Sequence, residues 1–386
     1  MRVKQEPLKI AFVSEEDSRE TQSWSGIPRA LSEALSKSGA WLCTITPRRA
    51  PEPIWIQVIR KSDTFLATRY NRRSLVSLGR STRNLINAAG PFDFALSIHP
   101  DPMAYSGVQL PWAFIGDCNF ELLAQTYSLS ARQSPGVLAE GKRMWRQGLE
   151  SASFCAMASN WVAMDTRSRY PSLAHKVREV PFGANVTSGW SETEAAVRVA
   201  ERSLRPLRLL SVGVDWERKR MDDVLEVFRI LSSRGIEACL DLVGCLPPAG
   251  RVIPQGVTIH GRLNRFDALE NAKLRNLFAE AHCFLLASRA ECFGVVFAEA
   301  ASYALPSIGV ASCGVPSAVR DGMTGRTFPN ECWNEATADE VSRWVNDPTG
   351  YRNLAKTAWQ DSETRLNWDV TARILINEIR RSLHSK

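Results

Sequence analysis

The stretch "SRAECFGVVFAEA" (288–300) sets two carboxylates, Glu291 and Glu299, eight positions apart around a Phe-Gly pair, within the most apolar part of the chain. The pattern reads as a strand end in "CFLLAS", a tight loop in "RAECFG" and a helix opening at "VVFAEA". Gly294 would let the backbone approach a ligand closely, and the amides of Val295 and Val296 would point out of the helix N-terminus. Unsatisfied amides and the helix dipole together attract a phosphate. A glutamate in a first helical turn also suits the dipole with no ligand at all, and Glu291 also reads as a solvated loop acid, so the two acids alone leave both readings open. A second constellation, "SVGVDWERKRMDD" (211–223), ends a strand at Gly213 and then places Arg218, Lys219 and Arg220 just before a helix. Cations at the carboxyl end of a parallel strand clamp an anion, each charge-assisted contact contributing roughly 1.5–3 kcal/mol. A run of charges is also a common solvated surface.

The elements that must position these groups alternate. "LKIAFVS" (8–14), "FDFALSIHP" (92–100), "PWAFIGD" (111–117) and "FCAMAS" (154–159) are apolar runs of buried-strand length, separated by helical patterns. "SGIPRALSEALSKSG" opens a helix with Pro28 in its first turn and Ala30, Leu31, Ala34 and Leu35 on one face. The alternation pauses near 181–206, a stretch with turn residues and little apolar periodicity, and restarts at "LRLLSVGV" (207–214). Further strands follow in "ACLDLVG", "VTIHG", "CFLLAS" and "PSIGV", and "WDVTARILINEIRRSLHSK" closes as an amphipathic helix. This predicts an α/β protein of two doubly wound domains in series: 1–187, a linker at 188–206, 207–365, and a C-terminal helix over 366–386. A ligand is then expected in a cleft facing the carboxyl ends of the strands.

Composition narrows the function classes. At 386 residues, 44% apolar and 23% charged, the chain reads as a soluble two-domain globular protein. Nine cysteines include no Cys-x-x-Cys pair, so neither a zinc site nor a redox pair is signalled, and a reducing, cytoplasmic setting is expected. The first apolar run, within "LKIAFVS", is too short for a signal peptide. The formal charge of +7 is uneven: residues 1–190 carry 23 Lys/Arg against 16 Asp/Glu, whereas 191–386 carry 25 of each. The excess is densest at 59–83, with seven basic residues and one acid. That region reads as a solvated basic face or as a contact for an anionic partner, either a membrane surface or a negatively charged acceptor. Nucleic acid is disfavoured, because the charge is modest and no interleaved aromatic platform accompanies it.

Taken together, these motifs resemble the retaining glycosyltransferases of family 4, which have the two-domain GT-B fold. The resemblance rests on Glu291-Cys292-Phe293-Gly294 followed by Glu299, on "YALPSIGVASCGVPSAVRDGMTGRTF" (303–328), on "VPFGANV" (180–186) and on "SNWVAMDTRSRYPSLAHKV". It is densest over 205–330 and thinner before residue 150. It implies two Rossmann-like domains facing a central cleft and transfer of a sugar from a nucleoside-diphosphate donor to a carbohydrate or glycolipid hydroxyl, with no metal and no separate cofactor. It assigns Glu299 to the ribose hydroxyls and Glu291 to the donor sugar near the reaction centre. Phe293, Gly294, Val295 and Val296 would surround the diphosphate, and Lys219 would bind it. Val214 stands where the family has an arginine, and Arg218 is the implied substitute. Arg262 and Leu263, in "HGRLNR" (260–265), become base-side candidates. Ala304 replaces a glycine, read as a change in packing. In the N-terminal half the family's Gly-Gly loop is reduced to Gly26 in "SWSGIP", a donor-binding candidate that would let the backbone come close to the donor phosphates or the transferred sugar. Asp117 stands where many relatives place a histidine beside the anomeric centre, which makes it with Glu291 a catalytic candidate, to orient an acceptor hydroxyl or stabilise oxocarbenium-like charge, and His99, at another strand end, is the acceptor-side candidate.

Two other readings follow from the same residues. One is a sucrose- or trehalose-synthase-like enzyme. The other is a nucleotide-sugar-binding protein without turnover, favoured by the absent arginine and altered glycine loop. A dinucleotide-dependent oxidoreductase is disfavoured, since no G-x-G-x-x-G follows a predicted strand.

Overall fold

A computed structural model describes residues 7–15, 23–49, 69–126 and 135–384. The chain divides into two units, Met1–Val180 with Trp368–Lys386, and Pro181–Asn367.

In the first unit, β1 (Lys9–Val13) leads to α1 (Ile27–Lys37) and β2 (Trp41–Ile45), then α2 (Arg72–Ala89) and β3 (Phe94–Ile98). After β3 come the short α3 (Asp101–Ala104), β4 (Trp112–Gly116), α4 (Phe120–Thr126) and α5 (Pro135–Ser151). The run ends with β5 (Phe154–Met157), α6 (Asn160–Arg169) and β6 (Val177–Glu179). The strands form one parallel sheet in the order β2-β1-β3-β4-β5-β6, with Ile10 opposite Phe94 and Leu42. The inner strands β3, β4 and β5 are buried along their whole length, as continuous apolar runs require when helices cover both faces. α1 buries Ile27, Leu31, Ala34 and Leu35, and α2 is capped by Asn71, whose side chain accepts from the Ser74 amide at 2.8 Å.

The second unit repeats the scheme. α7 (Glu192–Glu201) precedes β7 (Leu207–Val212), α8 (Met221–Ser233), β8 (Ala238–Val243), β9 (Val257–Gly261) and α9 (Ala268–Glu280). Then follow β10 (Cys283–Leu286), α10 (Val295–Ser302), β11 (Ser307–Val310), α11 (Val315–Ala318) and β12 (Gly325–Phe328). α12 (Trp333–Asn346) and α13 (Pro348–Thr364) complete it. The sheet order is β12-β11-β10-β7-β8-β9, all parallel. Its core gathers Leu209, Val224, Phe228, Leu240, Trp333 and Tyr351. Full burial of such side chains stabilises by roughly 1.5–3 kcal/mol each.

The chain then returns: α14 (Trp368–His384) belongs to the first unit, packs beside α1 and donates Glu378 to an ion pair with Arg178 at 2.8 Å. Among the described residues no helix is long and apolar enough to cross a membrane. All nine cysteines are free.

Two sequence expectations differ from the structure. The stretch 188–206, read as an irregular linker, holds α7, and the second unit already begins at Pro181. A capping box stands in for the weak apolar periodicity: the Ser191 hydroxyl accepts from the Glu194 amide and the Glu194 carboxylate accepts from the Ser191 amide. Ala304 is a backbone matter rather than one of packing. Its φ of 50° lies in the left-handed region, and Arg202 Nη1 donates to its carbonyl at 2.6 Å.

Candidate functional site

In the second sheet the strand order reverses between β7 and β10. The crevice outside the carboxyl ends of the strands at such a reversal is where α/β sheets take ligands. The loops after these two strands meet there. The Lys219 ammonium pairs with Glu291 Oε1, and the same oxygen accepts from Ser288 Oγ at 3.0 Å. Lys219 and Glu291 are each 8% exposed, so solvent screens the pair weakly. The loops are further joined by the Arg289 amide donating to the Arg218 carbonyl at 2.9 Å. Arg218 Nη1 lies 3.4 Å from the Ala290 carbonyl, so the implied second cation lies at the same junction.

Gly294 opens α10 with φ 83°, a left-handed value that suits glycine, and a Cβ there would stand 2.7 Å from Phe297 Cδ2. No side chain caps this helix, and its first residues, Val295 and Val296, are half-buried. The loop after β11 is tied to the loop that carries Glu291. The Gly314 amide donates to the Glu291 carbonyl at 2.8 Å, and a Cβ on Gly314 would fall 1.8 Å from the Cys292 oxygen, so only glycine fits. Phe293, expected among the donor residues, is instead a core residue: it is 1% exposed and its ring meets that of Phe182 edge-on at 5.6 Å. Its apolar ring gains more from that contact than from a polar ligand, and it anchors the loop that carries Glu291.

Glu299 lies one turn into α10 and is buried. Burial pushes its carboxyl above the ordinary range, while the Arg265 charge and hydrogen bonds from the Val186 and Asn185 backbone pull it partly back. Of the loop after β9, Arg262 is exposed and Leu263 half-buried, whereas Arg265 is the arginine whose charge reaches Glu299. Neither Arg265 nor Ser288 was among the residues that the sequence pointed to. The Asn185 and Val186 amides lie within "VPFGANV", a motif noted for its order along the chain rather than for a contact with Glu299.

The N-terminal candidates fall in the first unit, at the carboxyl edge of its sheet. Gly26 (φ 75°) is the left-handed cap of α1. Asp117, half-buried, directly follows β4. His99 follows β3 and is half-buried, with its Nδ1 3.3 Å from where a Cβ on Gly116 would stand. Burial and the Arg69 charge push its imidazole down to about 4, so it is neutral near pH 7. Of the basic 59–83 region, residues 59–68 lie outside the described residues.

Residues 206–347 match the family model described as Glycosyl transferases group 1. Among curated proteins, the chain is similar to D-inositol 3-phosphate glycosyltransferase of Mycobacterium tuberculosis, with 29% identity over 144 residues. That match takes in 36% of this chain and only 29% of the length of the curated relative. Among solved structures, a sucrose-phosphate synthase from Thermosynechococcus elongatus is similar over 98% of this chain and 100% of its own, with a TM-score of 0.69 and 19% identity. HepE of Anabaena, solved with UDP and glucose, is similar over 97% of this chain and 100% of its own, with a TM-score of 0.62 and 10% identity.

Proposed function

The chain has the GT-B glycosyltransferase fold and a group 1 glycosyl transferase region, and from that premise we propose that it moves a sugar from a nucleoside-diphosphate donor to a hydroxyl acceptor. The observation that carries this reading is the junction of Lys219, Glu291, Ser288 and the start of α10 at the strand-order reversal of the second sheet. It combines a cation, a helix start without a side-chain cap and a carboxylate within one loop cluster. Lys219, Arg218 and the amides of Val295 and Val296 stabilise the charge that develops on the departing diphosphate, with no metal ion called upon. Glu299, held by the backbone of Val186 and Asn185, accepts from the ribose hydroxyls, and Glu291 accepts from hydroxyls of the donor sugar. The sugar is transferred with retention, by attack on the face from which the diphosphate leaves. Asp117 orients the acceptor hydroxyl. The acceptor is a carbohydrate or glycolipid, and the basic face of α2 contacts an anionic membrane surface.

Calorimetric titration with UDP, GDP and ADP and their sugars tests the donor site, with UDP first because HepE was solved with it. Wild type should bind one diphosphate, and Lys219→Ala should weaken it about 10- to 100-fold. Removing Lys219 alone leaves a buried unpaired carboxylate, so the Lys219→Ala, Glu291→Gln double variant serves as the control for folding. A wild-type protein that binds none of these nucleotides overturns the reading.

A further inference from the structure

The loop after β11 supports the loop that carries Glu291, and it does not stand by itself. Cys313 holds a left-handed backbone with φ 52°, unfavourable for a residue with a side chain, and the α11 that follows is a single turn. A helix this short has no stability of its own, so its two ends must be held from outside. At its start the Gly314 amide donates to the Glu291 carbonyl at 2.8 Å. At its other end the carbonyls of Ser317 and Ala318 accept from one guanidinium, that of Arg365, through Nη1 at 2.5 Å and Nη2 at 3.4 Å.

Arg365 directly follows α13, and its planar fork is fixed from behind. Nε donates to Asp361 Oδ1 at 2.9 Å and Nη2 donates to Oδ2, while Arg320 Nη1 lies 3.0 Å from the same Oδ1. The Asp361 side chain is 3% exposed, so solvent screens this pairing weakly. A guanidinium bonded along one edge to a buried carboxylate has little freedom to follow α11, and the end of α11 is therefore set by it.

The next residue carries the linkage further within the second unit. The Leu366 carbonyl accepts from the Ala184 amide at 3.0 Å, and the residues after Ala184, Asn185 and Val186, are those whose backbone binds Glu299. Arg365 and Leu366 thus lie on one hydrogen-bonded path that runs from Glu291 through Gly314 and α11 to the segment holding Glu299. We propose that Arg365 is a positioning residue: by gripping the end of α11 it fixes Gly314, and through Gly314 the Glu291 loop, in the register at which the Glu291 carboxylate meets the donor sugar. This rests on the donor-site reading above. Because Arg365 acts through the Glu291 loop, its loss should be felt at the sugar rather than at the diphosphate, which Lys219 and the start of α10 hold.

The test compares full-length wild type, Arg365→Met and Arg365→Lys by hydrogen exchange at the Gly314 amide. Calorimetric titration accompanies it, with the diphosphate that wild type binds among UDP, GDP and ADP and with the matching nucleotide sugar. Arg365→Met should speed exchange at Gly314 about tenfold or more and weaken the nucleotide sugar about 5- to 20-fold, with free diphosphate affinity falling by no more than about twofold. Arg365→Lys keeps the charge beside Asp361 without the fork and should show the same split at smaller size. It keeps the comparison available if melting temperatures show that Arg365→Met does not fold. Folded variants with unchanged Gly314 exchange overturn the positioning role. So does an equal loss of diphosphate and nucleotide sugar, which is what a general loosening of the site would give. Faster Gly314 exchange in the variants of a protein that binds no nucleotide keeps the grip of Arg365 on the Glu291 loop and overturns the donor-site reading instead.

Discussion

The Lys219 ammonium pairs with Glu291 Oε1, and Ser288 adds a second donor to that same oxygen. A diphosphate arriving at that site must draw the ammonium away, and the carboxylate released is then available to hydroxyls of the attached sugar. In the proposed reading Glu291 is therefore both a competitor for Lys219 and a ligand of the donor sugar. Glu291→Gln should leave free nucleoside diphosphate binding unchanged or about 3- to 10-fold tighter, while turnover falls by about 100-fold or more. Paired calorimetric and kinetic measurements check this, and a loss of diphosphate affinity as large as that of Lys219→Ala would refute the competition. At this scale Glu291, Glu299 and Lys219 were legible because their spacing is a local property of two loops. Arg265 was not, because which arginine of "HGRLNR" turns toward Glu299 depends on the path of the loop. Arg49, which donates to both Glu15 and Asp101 in the first unit, shows why some contacts are invisible in the sequence: the three lie 34 and 52 positions apart and meet only once the chain has folded.

Among the elements, the inner strands were legible as apolar runs, and the strands that escaped the sequence reading, β2, β6 and β12, all stand at sheet edges. An edge strand is covered less completely, so it does not need an unbroken apolar run: "WLCTI" holds only exposed and half-buried positions before Ile45, and "VRE" buries only Val177. α7 escaped for a related reason, since it buries only Ala195 and Val199 and relies on its capping box. α2 shows the opposite balance. One face buries Leu75, Leu78 and Ile86, and the other exposes Arg72, Arg73, Arg80 and Arg83 in a helix with no acidic residue. Near an anionic bilayer each such cation contributes about 1 kcal/mol. Reversing two of them, Arg80→Glu with Arg83→Glu, should lower co-sedimentation with phosphatidylserine vesicles at low salt by at least about tenfold. Equal recovery on neutral and anionic vesicles would rule out the contact.

At the scale of the molecule, two doubly wound units were legible because the alternation of strand and helix is written twice. The boundary was not, since Val180 and Pro181 belong to one short motif that carries no break in composition. α14 buries Leu375, Ile376 and Ile379 in the first unit, roughly 1.5–3 kcal/mol for each. A chain ending at Asn367 should therefore unfold its first unit at markedly lower urea concentration while the second unit still binds the diphosphate. Urea titration followed by fluorescence, with calorimetry on the same protein, checks both halves of that expectation. Unchanged unfolding would show that α14 is dispensable to the first unit.

The return of the chain at Trp368 also fixes an order of events during synthesis. All of the second unit leaves the ribosome before the helix that completes the first, so the half made later is the half that can finish folding earlier. Until that helix arrives, α1 lacks the helix that packs beside it, and the nascent first unit lacks the partner that Leu375, Ile376 and Ile379 provide.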